Sequence, residues 1–335
     1  MYTDSDLDAA VAERAITAEA VASFRDFMAQ RQNSPSVDEE HFRLLTGFND
    51  IFVSIAAVLL LIAVSWLAGA ISPVVGGVAD VVVSWGLAEY FTRRRRMALP
   101  SILLLVSFSV GVFGTGFVLA KIAMPQASET IQATAGAALA VAGATLHWMR
   151  FRVPITIAVG ACSAVAAVVT LLIAFIPGLG DQWTLLLFAG GLCLFILAMR
   201  WDMSDRTRTT RRSDVAFWLH LSASPLIVHP AFKLLGLLGS DADVGRAGIA
   251  VALYVVLAFV ALVVDRRALL VSALFYVLYA ISALLRAASD LNASLALTAL
   301  VVGSALLLLS AFWHPVRRVV LSLMPKGIRA LVPVI

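Results

Sequence analysis

The sequence predicts an all-α polytopic transmembrane helix bundle of about ten spans, arranged as helical hairpins, and three observations predict it. Hydrophobic residues make up 61% of the chain and charged ones 14%, against about 25% charged in a soluble domain. Stretches of about 20 mostly apolar residues follow one another from Asn49 to Trp313, each long enough to cross a bilayer. Basic residues gather in the connections at one end of those stretches, as the positive-inside rule requires. A soluble core stops growing near about 250–300 residues and could not hide this much apolar surface.

Taken in order, residues 1–48 form an acidic helical segment with nine acids and four arginines. Leu7–Arg14 reads as a first helix. Thr17 is placed to cap a second, Ala18–Arg31, with Glu19 in its first turn. Val21, Phe24 and Met28 give that helix an apolar edge. No apolar run stands near Met1, so the first span is expected to target the chain. The acidic segment suits docking on basic loops or binding a protein partner.

The transmembrane domain is expected over 49–313, with spans at 49–70, 72–92, 99–121, 129–148, 154–176, 183–201, 215–238, 246–264, 268–286 and 293–313. Turn chemistry separates them, as at Ser72-Pro73 and Pro177-Gly178-Leu179-Gly180. Of the 25 Lys and Arg, 21 fall on one side; only Lys121, Lys233, Arg246 and Arg286 fall on the other. Both termini are therefore expected in the cytoplasm, which requires an even number of spans.

Trp66, Trp148, Trp183, Trp201 and Trp313 lie near span ends, where amphipathic rings favour the headgroup zone. The basic turns recur at Arg93, Arg150, Arg206 and Arg266, which suggests stacked hairpins. Gly136, Ala140 and Ala144 make a small-residue stripe for close helix packing, as do Gly111, Gly114 and Gly116. Cys162 and Cys193 read as small buried hydrophobes. Residues 314–335 are too short and too interrupted by Pro325 and Gly327 to span. They suit an amphipathic tail on the anionic inner leaflet.

Ala15-Ile16-Thr17-Ala18-Glu19-Ala20, then Trp85-Gly86-Leu87-Ala88-Glu89-Tyr90 running into Arg93 to Arg96, resemble uncharacterised bacterial multi-span inner-membrane proteins of the domain-of-unknown-function kind. Those proteins carry a short cytoplasmic helical segment before the spans. Phe217-Trp218-Leu219-His220-Leu221 and Pro225-Leu226-Ile227-Val228-His229-Pro230 carry the same likeness. The resemblance implies a bacterial inner (plasma) membrane location and transfers no catalytic residue.

Chemistry should sit where ionisable groups enter the membrane, because each costs about 2.5–3.5 kcal/mol at mid-span. Two predicted spans carry several. The second holds Asp80 and Glu89; the seventh holds His220, His229 and Lys233, with Pro225 and Pro230 as expected helix breaks. Asp80 lies about 12 Å from the outer end of its span and His229 about 14 Å from the outer end of the other, at 1.5 Å per residue. That match pairs Asp80 with His229 and brings Glu89 towards His220. Residues nine apart on a straight helix point about 180° apart, so both pairs cannot share one face. Asp80 is the better candidate, since Glu89 can reach Arg93 and the interface.

A carboxylate, histidines and a broken helix are the parts of a proton-coupled or ion-coupled transporter or channel for a small solute. The alternative is a non-transporting scaffold or sensor acting through residues 1–48. No metalloprotease, nucleophile-elbow or phosphate-loop motif is present, so no enzyme activity is expected. Gly178-Leu179-Gly180-Asp181 carries the letters of an intramembrane aspartyl protease motif but falls in a loop beside Pro177. No cofactor, metal or nucleic acid is expected. The expected partners are the bilayer, anionic inner-leaflet lipids at the basic loops and C-terminal tail, and a protein at residues 1–48.

Overall fold

The computed structural model describes residues 7, 10–24, 48–206, 208, 210–237, 244–274, 276–278, 300, 302–308, 310–329 and 331–333. The chain divides into two units, Met1–Phe42 and Arg43–Ile335. In the first, residues 18–24 are helical and Thr17 Oγ1 accepts from Ala20 N at 3.1 Å, as a helix cap should. The remainder of the predicted second helix, with Met28, lies outside the described residues.

The second unit is all helix among the described residues. α1 is Phe48–Gly69, α2 Pro73–Ala88, α3 Ala98–Ala123, α4 Glu129–Phe151, α5 Ile155–Phe175, α6 Trp183–Ser204, α7 Arg211–Leu234 and α8 Val244–Val264. Beyond them come α9, Ala268–Leu278, α10, Val302–Leu308, and α11, Trp313–Ser322. α2 starts cleanly because Ser72 caps Val75 N and Pro73 fills the first helical position. It ends in a wide π turn, Glu89–Arg94.

Among the described residues, six helical stretches are long and apolar enough to cross a membrane: Phe48–Gly69, Pro73–Arg94, Ala98–Ala123, Ile155–Phe175, Leu179–Ser204 and Arg211–Leu234. α10 and α11, bent by 71°, would make a seventh if they form one span. This corrects the expectation of ten. α4 is long enough, but its Ala, Gly and Thr with Gln132 and His147 make it too weakly apolar to qualify. Among the described residues, the apolar parts of α8, Gly248–Val264, and of α9 run for fewer than 18 residues. Residues 279–299, which hold the end of the ninth predicted span and the start of the tenth, lie outside the described residues.

One end of the helices is marked by a repeated backbone device. Arg96, Arg152, Arg208 and Asp265 all take positive φ, 54°, 55°, 54° and 60°, at intervals of 56, 56 and 57 residues. A left-handed residue closes a helix and reverses the chain. Non-glycine residues pay for that conformation in strain and adopt it only where the surroundings fix it. The expected hairpin recurrence is thus present in the backbone. It follows turn geometry more closely than residue identity, although Arg94, Arg150 and Arg206 also keep the period.

Helices pack mainly on their sequence neighbours: α2 on α1 and α3, α4 on α3 and α5, α6 on α7. Short connections favour that arrangement. The small-residue stripe does what packing in lipid requires. Gly136, Ala137, Ala140, Gly143 and Ala144 are buried, and a Cβ on Gly136 would stand 2.7 Å from Phe113 O. Thr134 and Thr170 share a hydroxyl hydrogen bond of 2.8 Å between α4 and α5. His147 is 1% exposed, packed against Trp85, Phe108 and Phe151.

α7 is the most enclosed candidate span. It stays helical through Pro225 and Pro230, which corrects the expectation of a break. Each proline still deprives the carbonyl four residues earlier, at Leu221 and Leu226, of its N–H partner. Packing holds the helix together there: Gly191 of α6 lies so close that a Cβ would meet the Leu226 carbonyl carbon at 2.8 Å.

Candidate functional site

Asp80 lies on α2, 6% exposed and away from both ends of the candidate span. Ser107 of α3 donates to its two carboxylate oxygens, Oδ1 at 2.8 Å and Oδ2 at 3.0 Å. The Ser65 hydroxyl of α1 also hydrogen-bonds to it. Ser84 turns its hydroxyl back to the main-chain carbonyls of Asp80, at 2.6 Å, and Val81, at 3.1 Å, so it does not compete for the carboxylate. Among the described residues no Lys, Arg or His makes an ion pair with Asp80. The carboxylate is held by neutral hydroxyls at the junction of three helices.

Close helix approach creates that junction. Gly111 of α3 stands opposite Asp80: a Cβ there would lie 2.9 Å from Asp80 Oδ2 and 3.2 Å from Gly77 O. Gly77 in turn faces Thr115, whose hydroxyl occupies the place a Cβ would need. Ser107, Gly111 and Thr115 recur every four residues, so they form one face of α3. Thr115 Oγ1 is buried with no hydrogen-bond partner.

A second buried aspartate has the opposite surroundings. Asp202, near the end of α6, receives Arg266 Nη2 at 2.6 Å on Oδ1 and Nε at 3.3 Å on Oδ2. His220 Nε2 of α7 sits 2.9 Å from the same Oδ2 and donates, since a carboxylate can only accept. The side chains of Asp202 and His220 are 0% exposed and that of Arg266 is 3% exposed. Beside this triad, Asp265 accepts from Arg208 Nη1 at 2.9 Å and Trp313 Nε1 at 2.7 Å. Arg317, 1% exposed, donates to Leu262 O at 3.2 Å and Pro333 O at 2.8 Å. Trp313 and Arg317 are therefore anchors for the tail against the α8–α9 turn, not residues exposed to headgroups.

The pairs expected from span depth are not the pairs formed. Asp80 engages Ser107, and His229 Nδ1 instead meets Tyr276 Oη at 2.7 Å. Glu89 accepts from Arg150 Nε at 2.6 Å and Nη2 at 2.8 Å, with Arg93 at 3.4 Å, rather than approaching His220. Lys233 Nζ stands 4.0 Å over the Trp183 ring. Equal depth failed as a guide because α2 packs on α1 and α3 while α7 packs on α6 and α5. Cys162 and Cys193 are both free.

Comparison with family models, curated proteins and solved structures returns no match. The chain is a multi-span helical membrane protein. Its apolar spans imply a lipid bilayer, and among the described residues its interior holds a compensated carboxylate, Asp202, and one without an ion pair, Asp80. In this membrane protein, Ser65, Ser107, Thr115, Asp202 and Arg266 are the interior groups that sequence reasoning missed. The four-residue recurrence Ser107–Gly111–Thr115 was the available signal for the first centre. Asp202 and Arg266 stood just beyond their predicted span ends and read as loop charges.

Proposed function

We propose that this protein is a bacterial inner-membrane protein that moves a small ion or proton-coupled solute through the α1–α2–α3 junction, with Asp80 as the acceptor. One observation carries the reading: a buried carboxylate inside an apolar span, held only by hydroxyls and free of any ion pair among the described residues. A carboxylate kept for structure alone is ordinarily matched with a cation, because an uncompensated charge in hydrocarbon is expensive. One kept for exchange needs a partner that comes and goes. His229 and Lys233, bound to Tyr276 and Trp183, stand beside this reading rather than within it.

Orientation follows from the exposed arginines. Arg93 to Arg96, Arg150, Arg152, Arg211 and Arg212 gather at the end marked by the left-handed turns and are exposed. That end belongs in the cytoplasm, against anionic inner-leaflet lipids. An even number of crossings would place both termini there as well.

The test is flux from proteoliposomes holding a trapped pH-sensitive dye, under an imposed proton or sodium gradient. Wild type should dissipate the gradient faster than empty vesicles, and Asp80→Asn should return it to the empty-vesicle rate. Equal flux in wild type and Asp80→Asn would remove Asp80 from the path.

A further inference from the structure

We propose that Arg206 and Arg317 form a binding site for an anionic phosphate group, and that the chain's own tail fills it as a displaceable strap. The strap's contribution is three main-chain carbonyls, those of Arg329, Val332 and Pro333. The site lies at the arginine-rich end, apart from Asp80, and does not depend on the reading of that residue.

The strap is held by its backbone. Beyond α11 the chain turns back on itself, and Arg329 closes the turn by donating Nε to Met324 O at 2.8 Å and Nη2 to Ser322 O at 3.3 Å. Arg206, in the α6–α7 turn, donates Nη2 to Arg329 O at 3.2 Å and Nε to Val332 O at 3.1 Å. Arg317 of α11 donates Nη2 to the next carbonyl, Pro333 O, at 2.8 Å. Guanidiniums from two separate elements thus meet consecutive carbonyls of one segment.

The charges there do not match. Residues 313–335 contain no Asp or Glu, and the strap brings Lys326 and Arg329. A basic segment therefore lies on basic side chains. The neighbouring carboxylates are engaged elsewhere. Asp265 accepts from Arg208 and Trp313 and stands 3.5 Å from Arg317 Nε. Asp205, next to Arg206 in the chain, accepts from Thr210 N at 2.9 Å and Thr210 Oγ1 at 2.6 Å. Arg206 makes no ion pair among the described residues, and its acceptors are neutral carbonyls.

A neutral carbonyl is the weaker partner for a guanidinium. Hydrogen bonds between ionised groups are roughly twice as strong, and the arginine fork fits phosphate oxygens in pairs. The carbonyls still hold the strap down, because release with nothing in their place would leave buried Arg317 short of an acceptor. A phosphate group removes that penalty. Once free, the strap carries Lys326 and Arg329 beside exposed Leu323 and Leu331, a composition suited to an anionic leaflet. The vacated arginines and the released strap then both face anions. Lipid headgroups and soluble phosphate share the chemistry that the site recognises.

The experiment follows a thiol in the strap of the full chain, with Cys162 and Cys193 replaced by alanine. Val332 is 3% exposed and Leu331 49%. In a maltoside detergent, whose headgroup holds no phosphate, Val332→Cys should therefore react with a maleimide slowly and Leu331→Cys quickly. Adding phosphatidylglycerol, or inorganic phosphate at matched ionic strength, should speed the reaction at position 332 about tenfold or more, the scale of losing one hydrogen bond to a charged group. Acceleration by phosphatidylglycerol alone names a lipid headgroup as the ligand; acceleration by inorganic phosphate names a soluble one. Either supports the site. Adding Arg206→Ala should make position 332 react quickly with neither anion present. Rates at position 332 that neither anion changes would overturn the proposal. So would an anion effect that survives in full with Arg206→Ala, or equal reactivity of positions 331 and 332 in detergent alone.

Discussion

Asp80 and Asp202 are both buried aspartates on helices, and their neighbours give them opposite consequences. Asp202 meets a guanidinium and an imidazole that close around it from α7 and the turn after α8. Asp80 meets serine hydroxyls from α1 and α3 and the bare backbone of Gly111. A buried charge with its counter-charges is hard to remove without penalty, because the partners are then stranded. A buried carboxylate with neutral donors can gain or lose a proton or an ion while its surroundings stay intact. The first arrangement ties elements together and the second keeps a valence open.

That contrast can be broken most forcefully at Asp202. Asp202→Ala would strand Arg266, so unfolding in detergent should show a loss of roughly 3–5 kcal/mol. A loss below about 1 kcal/mol would mean that the triad does not hold α6, α7 and the α8–α9 turn together. A smaller effect is expected across the Asp80 junction. Gly111→Ala forces a methyl group towards Asp80 Oδ2, 2.9 Å away, and towards Val81 Cγ2 at 3.0 Å. Overpacking of this kind costs about 1–3 kcal/mol.

Asp80→Asn sharpens the comparison from the other side. Asparagine is nearly the same shape and still bonds Ser107, so stability should change by less than about 1 kcal/mol while flux falls to background. A variant that loses stability as Asp202→Ala does would place Asp80 among the structural ion pairs. The least change belongs to Glu89→Gln. Glu89 and its partners Arg150 and Arg93 are about a third to half exposed, so the unfolding midpoint should match wild type within error at physiological salt.

Much of the helical framework was legible because its signals are local. Apolar length marked α1, α2, α3, α5, α6 and α7, all within a few residues of their observed limits. Ser72-Pro73 marked the start of α2, and Thr17 the cap in the N-terminal segment. Span number was less legible. α4 has the length of a span, but its Ala, Gly and Thr with Gln132 and His147 leave it too weakly apolar to count as one. The prolines of α7 misled for a related reason. A proline removes one hydrogen bond locally, and whether the helix then breaks depends on what presses against it, here Gly191 of α6.

The sequence by itself determined the solvent, the helical class, the candidate acid Asp80 and the arginine-rich end, since composition and periodicity act along the chain. It also carried the hairpin period, later visible as left-handed turns at Arg96, Arg152, Arg208 and Asp265. Only the tertiary structure decided which groups meet. Depth along a span is a one-dimensional coordinate, and contact also needs the right neighbouring helix and the right face. Hence Asp80 faces Ser107 rather than His229, and His220 closes on Asp202 rather than Glu89. The unpartnered Thr115 hydroxyl came to light in the same way, because a missing hydrogen bond is a property of packing that no single residue announces.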